Sequence, residues 1–322
     1  MEKVIAIIGP TAVGKTALSF ALAGRCGTDL ISGDAYQIYR HMDIGTAKPT
    51  ADELTRYHHY LIDIAEPDEP YSAARFCEMA ATAIAEVNGK GKVPILVGGT
   101  GLYVQSLLEG YDFQTARMTE ADKEAAQARI ASLDEAALKA YIEKETDWQP
   151  PDWHELLANT HRLTRLVSAI EQGEGKSFVR AGKARDLVYD AYVIGLRLPR
   201  DILYGRIEER VDAMIAAGWV DEVQRLLAMG IPTDCQAMKA IGYQELALYL
   251  QGQMPLDDAV NRIKTRTRRF AKRQLTWFKR MPYIHWYDKD QYDGEAALIQ
   301  AVLEDLGLSH EGFCRHARPL SL

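Results

Sequence analysis

Val4-Ile5-Ala6-Ile7-Ile8 is an unbroken apolar run, mostly β-branched, that stops at Gly9. A run with no polar side predicts a strand buried on both faces of a parallel sheet. Helical composition follows from Thr16 to about Gly24, and Leu30-Ile31 predicts a second strand that ends at Ser32-Gly33-Asp34. Tyr60-Leu61-Ile62-Asp63-Ile64 predicts a third. Ser72 opens an alanine-rich helix that runs to about Val87. Val93-Pro94-Ile95-Leu96-Val97 predicts a fourth strand, which Gly98-Gly99-Thr100-Gly101 breaks into another helix. Strands alternating with helices imply an α/β fold built on a parallel sheet.

The pattern then changes. Residues 119–185 lack strand runs and read as helices joined by polar loops, with a break at Trp148–Trp153. They predict a helical insertion over 117–185, set into a core formed by 1–116 and 186–310. Ala191–Leu196 returns to strand, and everything after Arg200 reads as helical. Gly230-Ile231-Pro232 separates two of those helices, and a long one spans Leu256–Met281. The tail at 311–322 carries no clear signal.

The chain has 322 residues, 47% hydrophobic and 26% charged, which is the balance of an ordinary globular protein of one large or two modest domains. A net charge of −7 excludes a wholly basic nucleic-acid binder but allows a local basic face. One is present: nine Lys and Arg and no Asp or Glu lie between Ala259 and Met281, interleaved with Phe270, Leu275, Trp277 and Phe278. A solvated face mixes signs, so a run of one sign points to a polyanion, either nucleic-acid backbone or diphosphate. Cys26, Cys77, Cys235 and Cys314 are far apart and form no C-x-x-C pair, which predicts reduced thiols and a cytoplasmic location. No apolar run approaches the length of a membrane span. His58 and His59 are adjacent and face opposite sides of a strand, while His154 and His161 could share a helix face; neither pair builds a metal site.

Residues 9–16, GPTAVGKT, fit G-x-x-x-x-G-K-[ST] between a predicted strand and a predicted helix. In this nucleotide- or ATP-binding type of loop, backbone N–H groups point at an anion, the lysine adds a point charge and the hydroxyl can ligate Mg²⁺. Those roles fall to Lys15 and Thr16. The loop alone does not name its ligand. Asp34, at the end of the second strand, lies where ligands bind in parallel sheets. It reads equally as a general base, a helix N-cap or a magnesium ligand. The glycines of Gly98-Gly99-Thr100-Gly101 allow close backbone approach, although a plain strand-to-helix turn explains that motif as well.

Together the motifs resemble those of the tRNA dimethylallyltransferases, also called tRNA isopentenyltransferases. The matching stretches are GPTAVGKT (9–16), ISGDAYQIYRHMDIGTAKP (31–49), PILVGGTGLY (94–103), RIEERVDAMIAAG (206–218), AIGYQEL (240–246) and TRTRRFAKRQLTWF (265–278). The resemblance implies a P-loop NTPase-like parallel-sheet core, a helical insertion that grips the tRNA anticodon stem-loop, and a helical C-terminal part. It implies transfer of a dimethylallyl group from dimethylallyl diphosphate to N6 of adenine 37, with diphosphate as leaving group. The adenine is drawn from its stack, as chemistry on a base requires. By position, Asp34 is the base, Thr100 bonds at the reacting centre and Arg210 reaches the diphosphate. Gly9, Pro10, Thr11, Ala12, Val13, Gly14, Lys15 and Thr16 hold the diphosphate, with Mg²⁺ on Thr16. Asp34, Ala35, Tyr36, Gln37, Arg165, Arg268, Lys272 and Arg273 contact tRNA. The expected state is a monomer with no membrane partner. Ala35 stands where the family usually has serine, and Ser168 where it has arginine; both bear on the tRNA grip rather than the chemistry. The competing classes are a P-loop kinase or NTPase acting on a small molecule, and an RNA-binding relic without activity.

Overall fold

The computed structural model describes residues 1–111, 113, 118–181 and 186–308. The expected boundaries at 116–117 and 185, the tail at 311–322 and Cys314 lie outside the described residues. The chain divides into two units: Met1–Leu108 with the residues from Leu187 onward, and Glu109–Asp186.

The first unit begins β1 (Lys3–Ile8), α1 (Lys15–Cys26), β2 (Leu30–Ser32), α2 (Ala51–Arg56), β3 (His59–Tyr60), α3 (Ala73–Gly89), β4 (Ile95–Gly98) and α4 (Gly101–Leu108). The second unit holds α5 (Glu120–Ala131), α6 (Glu135–Thr146), α7 (Trp153–Ala158), α8 (Thr160–Glu171) and α9 (Gly175–Ala181). The first then resumes with β5 (Asp190–Arg197), α10 (Arg200–Ala216), α11 (Trp219–Ala228), α12 (Tyr243–Leu250), α13 (Leu256–Phe278), β6 (Ile284–Asp288) and α14 (Gly294–Asp305).

The six strands form one sheet in the order β3-β2-β4-β1-β5-β6, with every pairing parallel. β1 shows why an all-apolar run was needed. Val4, Ala6 and Ile8 pack on one side with Phe76, Tyr103, Trp219 and Phe278. Ile5 and Ile7 pack on the other with Leu18, Leu22, Leu203 and Ile207. Both faces are covered from Val4 to Ile8, so none of those five positions can be polar; Lys3, at the half-buried start of the strand, is the exception.

Three readings of the sequence are corrected. The run Tyr60–Ile64 is not a strand: pairing stops after Tyr60, and Leu61 and Asp63 take φ of 65° and 54°. Leu61 is apolar because it is buried, not because it is extended. The Asp63 carboxylate accepts from Lys48 Nζ at 2.6 Å, which anchors the turn. The region after Arg200 is not all helical, because β6 adds a parallel edge strand beside β5. Its buried residues, Ile284 and Tyr287, are three apart, so the period-two signal of a strand is absent. His154 and His161 also fall on separate helices, α7 and α8, rather than on one face.

Four of the five helices of the second unit, α5 to α8, start on side chains that cap them: Thr119 (with Asp122 in a capping box), Asp134, Asp152 and Asn159. They enclose their own core around Leu138, Ile142, Leu163, Leu166 and Val167. Ser168 lies within it at 2% exposure.

One buried carboxylate holds the turn that follows the second strand. Glu222 on α11, 1% exposed, accepts from the backbone N–H of Asp43 at 2.8 Å, Ile44 at 2.7 Å and Gly45 at 3.2 Å, and from Tyr243 Oη at 2.7 Å. Four donors offset the cost of burying the charge. Trp219, one turn earlier, lies against Gly45 and Gly242, where an added Cβ would fall inside its indole ring contact distance. Gly242 also has φ +100°. Gly242→Ala is therefore expected to destabilise by about 2–4 kcal/mol, combining strain with overpacking. Gly252, at φ +71° with open space around it, serves as the control, and Gly252→Ala should cost about 1 kcal/mol. Urea titration of the two variants distinguishes them; equal losses would remove the Trp219 contact from the account.

Candidate active site

β2, β4 and β1 are neighbours in the sheet, so their carboxyl ends emerge side by side. Ligands bind at that edge in open α/β sheets. The three loops that leave it are 9–14, 33–37 and 99–100. They border a cavity of about 620 Å³, closed from the other side by α10 and α13.

Into this cavity come Thr11 of the first loop with Lys15 and Thr16 from the start of α1, Asp34, Ala35, Tyr36 and Gln37 of the second loop, and Thr100 of the third. Arg210 enters from α10 and Arg273 from α13. Arg268 and Lys272 are not in its lining. Arg165 belongs to the second unit, where its guanidinium lies 5.6 Å from the Phe178 ring centroid.

The phosphate loop has the backbone its motif requires. Gly9, Ala12 and Gly14 take φ of 147°, 64° and 99°. A side chain at Gly9 would sit 2.8 Å from the Leu196 carbonyl oxygen. Val13 is fully buried in the core beneath, which fixes the loop to the sheet. Lys15 Nζ donates to the carbonyls of Gly9 at 3.0 Å and Pro10 at 2.8 Å. Burial lowers the Lys15 pKa to about 7, helped by the nearby Arg210 charge and opposed by Asp34. Arg210 is lowered by burial too, again opposed by Asp34. The two cations and the carboxylate thus share one electrostatic site.

Asp34 Oδ1 accepts from the N–H of Tyr36 at 2.9 Å and Gln37 at 3.4 Å, closing a turn; it is not the helix N-cap that was one of its readings, because no helix begins between Asp34 and α2 at Ala51. It lines the cavity at the same time. Thr100 Oγ1 accepts from Ala35 N–H at 3.1 Å, which links the second and third loops. The link uses the backbone of Ala35, so the lack of a serine hydroxyl there leaves it intact. Gln37 is a brace: Oε1 accepts from Ser32 Oγ at 2.9 Å, and Nε2 donates to the carbonyls of Thr46 and Ala47 at 3.2 Å.

The basic helix differs from its sequence reading. Its run of one sign is matched by acids from neighbouring helices: Lys264 to Asp212 at 2.7 Å, Arg268 to Glu208, and both Arg262 and Arg266 to the buried Glu245. Arg269, Lys272, Arg273, Lys279 and Arg280 remain exposed, with no carboxylate within 4.0 Å among the described residues. Sequence reasoning also missed Gln274, the one neutral polar side chain of α13 buried against the loops. It accepts from Thr11 N–H and donates to the Gly99 carbonyl, both at 2.9 Å. Glu222, Trp219 and Lys48 were missed for the same reason: each acts on residues far away in sequence.

Among the described residues no three His, Cys, Asp or Glu side chains converge as a metal site. A cation here would be held by the hydroxyl of Thr16, a residue of the cavity lining, with waters and ligand oxygens. That donor set suits Mg²⁺, which keeps waters and shares substrate phosphates.

The sequence profile of the IPP transferases matches residues 37–281. A tRNA dimethylallyltransferase of Geobacillus kaustophilus is 42% identical over 305 residues, covering 94% of this chain and 95% of the relative. That of Syntrophobacter fumaroxidans is 41% identical over 308 residues, covering 94% and 88%. The crystal structure of the full-length tRNA isopentenylpyrophosphate transferase from Bacillus halodurans aligns with TM-score 0.70 and 38% identity, covering 95% of this chain and 96% of that one. A eukaryotic dimethylallyltransferase captured acting on tRNA aligns with TM-score 0.77 and 25% identity, covering 98% and 82%.

The lowered Lys15 pKa has a measurable consequence. Above about pH 7 the free ammonium loses its proton, and a bound anion raises its pKa again. Sulfate, whose charge is constant near neutrality, should therefore bind with proton uptake at pH 8 and with none well below pH 7. Its affinity should fall as pH rises through 7. Calorimetry in two buffers of different ionisation enthalpy measures the uptake, and Lys15→Met should remove it. Uptake that survives in the variant would assign the proton to another group.

Proposed function

The chain belongs to the IPP transferase family, the tRNA dimethylallyltransferases, and from that membership we propose its reaction and the roles of its residues. It transfers a dimethylallyl group from dimethylallyl diphosphate to N6 of adenine 37 in the tRNA anticodon loop and releases diphosphate. The single observation that carries the residue roles is the meeting of an anion cradle with Asp34, Thr100 and Arg210 in one cavity.

N6 attacks C1 of the allyl group. The C1–O bond breaks, its electron pair leaves with the diphosphate, and the N6 proton passes to the Asp34 carboxylate. Asp34 is held for this by the N–H groups of Tyr36 and Gln37. Thr100 hydrogen-bonds at the same centre. Lys15 and Arg210 offset the negative charge that grows on the leaving group, which is the larger part of catalysis when charge is displaced. Thr11–Thr16 supply the cradle, and Thr16 would hold Mg²⁺. That ion, when bound, neutralises diphosphate charge. Burying Lys15 and Arg210 strengthens their pull on the diphosphate, because fewer water dipoles screen them.

The tRNA is gripped by backbone contacts. Lys272 and Arg273 on the exposed face of α13 are free to meet phosphates, with Arg165 as a further contact from the insertion. The proposed setting is a monomer in the cytoplasm; no helix of the described residues is long and apolar enough to cross a membrane. A small-molecule kinase or NTPase has less support, because the relatives that match most of the chain are named as transferases acting on tRNA.

Incubation with labelled dimethylallyl diphosphate, Mg²⁺ and unmodified tRNA should put label on the adenine; consumption of ATP instead would overturn the reading. Asp34→Ala and Thr100→Ala should each cut turnover by ~10²-fold while tRNA still binds. Normal turnover in Asp34→Ala would remove it from the base role. Lys272→Ala and Arg273→Ala should each lower the salt slope of tRNA binding by about one. Arg268→Ala should change it less, because Glu208 already matches that charge. Filter-binding isotherms at several salt concentrations decide between the two groups.

A further inference from the structure

Gln274 sits inside a helix whose neighbouring polar residues are mostly charged, yet it is neutral and only 5% exposed. Its carboxamide is used at both ends. Oε1 accepts from Thr11 N–H in the phosphate loop, 263 residues away, and Nε2 donates to the Gly99 carbonyl, 175 residues away. The last registered pair between β1 and β4 is Ile8 with Gly98. Beyond it the sheet ladder no longer ties the two loops together. The amide of Gln274 bridges them immediately past that point.

An Asn or Gln carboxamide presents a donor and an acceptor side by side in one plane without charge. The fit is tight on one side, since a Cβ at Gly99 would collide with Gln274 Nε2. It is reinforced one turn later, where a Cβ at Gly101 would fall 2.5 Å from Trp277 Cδ1. The glycines of this loop therefore serve the close approach of α13 as well as the turn. Thr11 lines the cavity on the anion side, and Thr100, next to Gly99, lines it at the reacting centre.

We propose that Gln274 is a positioning residue for the transfer reaction: its carboxamide sets the spacing between the phosphate loop and the Gly99–Thr100 loop, and so between the leaving group and the attacking nitrogen. The inference rests on the dimethylallyl-transfer reading. A misplacement of about 1 Å between reacting groups can cost about 10²-fold in rate, so a fixed spacer here acts on turnover rather than on tRNA affinity.

The test uses Gln274→Met, which keeps the volume and makes neither bond, and Gln274→Glu, which keeps an acceptor for Thr11 and sets a carboxylate against the Gly99 carbonyl. Single-turnover transfer at saturating substrates, the KM for dimethylallyl diphosphate, tRNA Kd and the melting temperature are measured for each. Gln274→Met should lose tenfold or more in saturating rate with tRNA Kd within twofold. Gln274→Glu should lose rate similarly but keep its donor KM closer to wild type. Rates within twofold of wild type in both, or losses that only track the unfolded fraction, would overturn the inference. If Gln274→Met does not fold, the rate and donor KM of Gln274→Glu decide. If wild-type protein transfers nothing, the transfer reading alone fails. The spacing is then judged by sulfate affinity, expected to weaken several-fold in Gln274→Met, with an unchanged affinity counting against it.

Discussion

The site depends on β1 being paired in parallel on both sides, with β4 on one and β5 on the other. Parallel pairing sends every strand's carboxyl end to one edge, so loops from β1, β2 and β4 arrive together. Double pairing satisfies both edges of β1 and the packed helices bury both its faces, so the loop that leaves it starts from a fixed strand end. Val13, buried beneath that loop, carries the rigidity into the motif's second half.

Beyond the strand ends the backbone must find other partners, because an unpaired buried N–H or C=O costs stability. The protein supplies them from distant side chains. Glu222 takes three N–H groups of the 43–45 turn, Gln37 takes the carbonyls of residues 46 and 47, and Gln274 joins residues 11 and 99. Lys48, with its side chain 2% exposed, joins Asp43, Asp63 and the Tyr39 carbonyl. Each is a buried or half-buried polar group with its partners satisfied, and such groups specify one arrangement because any other leaves them unpaired. The walls of the cavity are irregular in backbone yet fixed in place for this reason.

The electrostatics follow the same division of labour. On α13, cations that face neighbouring helices are matched by Asp212, Glu208 and Glu245. The cations on its outer face are not. One helix thus contributes stability on one side and an exposed positive surface on the other, while Lys15 and Arg210 act deeper, where burial makes their charge count for more.

The strands β1, β2, β4 and β5, the phosphate loop and the long basic helix were legible in the sequence, because each is written in consecutive residues: a run of β-branched apolar side chains, a glycine-lysine spacing, a charge bias. Asp34 and Thr100 were legible as motif positions at strand ends. What failed was whatever depends on a second segment. Leu61 was apolar for burial without extension, and β6 showed no alternation because Ile284 and Tyr287 are its buried residues. The nine basic residues could not reveal their acids, which lie on α10 and α12. Gln274 could not reveal that its partners are 263 and 175 residues away. Local sequence fixes backbone preference and motif chemistry, since those act over a few bonds. Which charge is neutralised and which amide bridges two loops was decided only when the chain closed on itself.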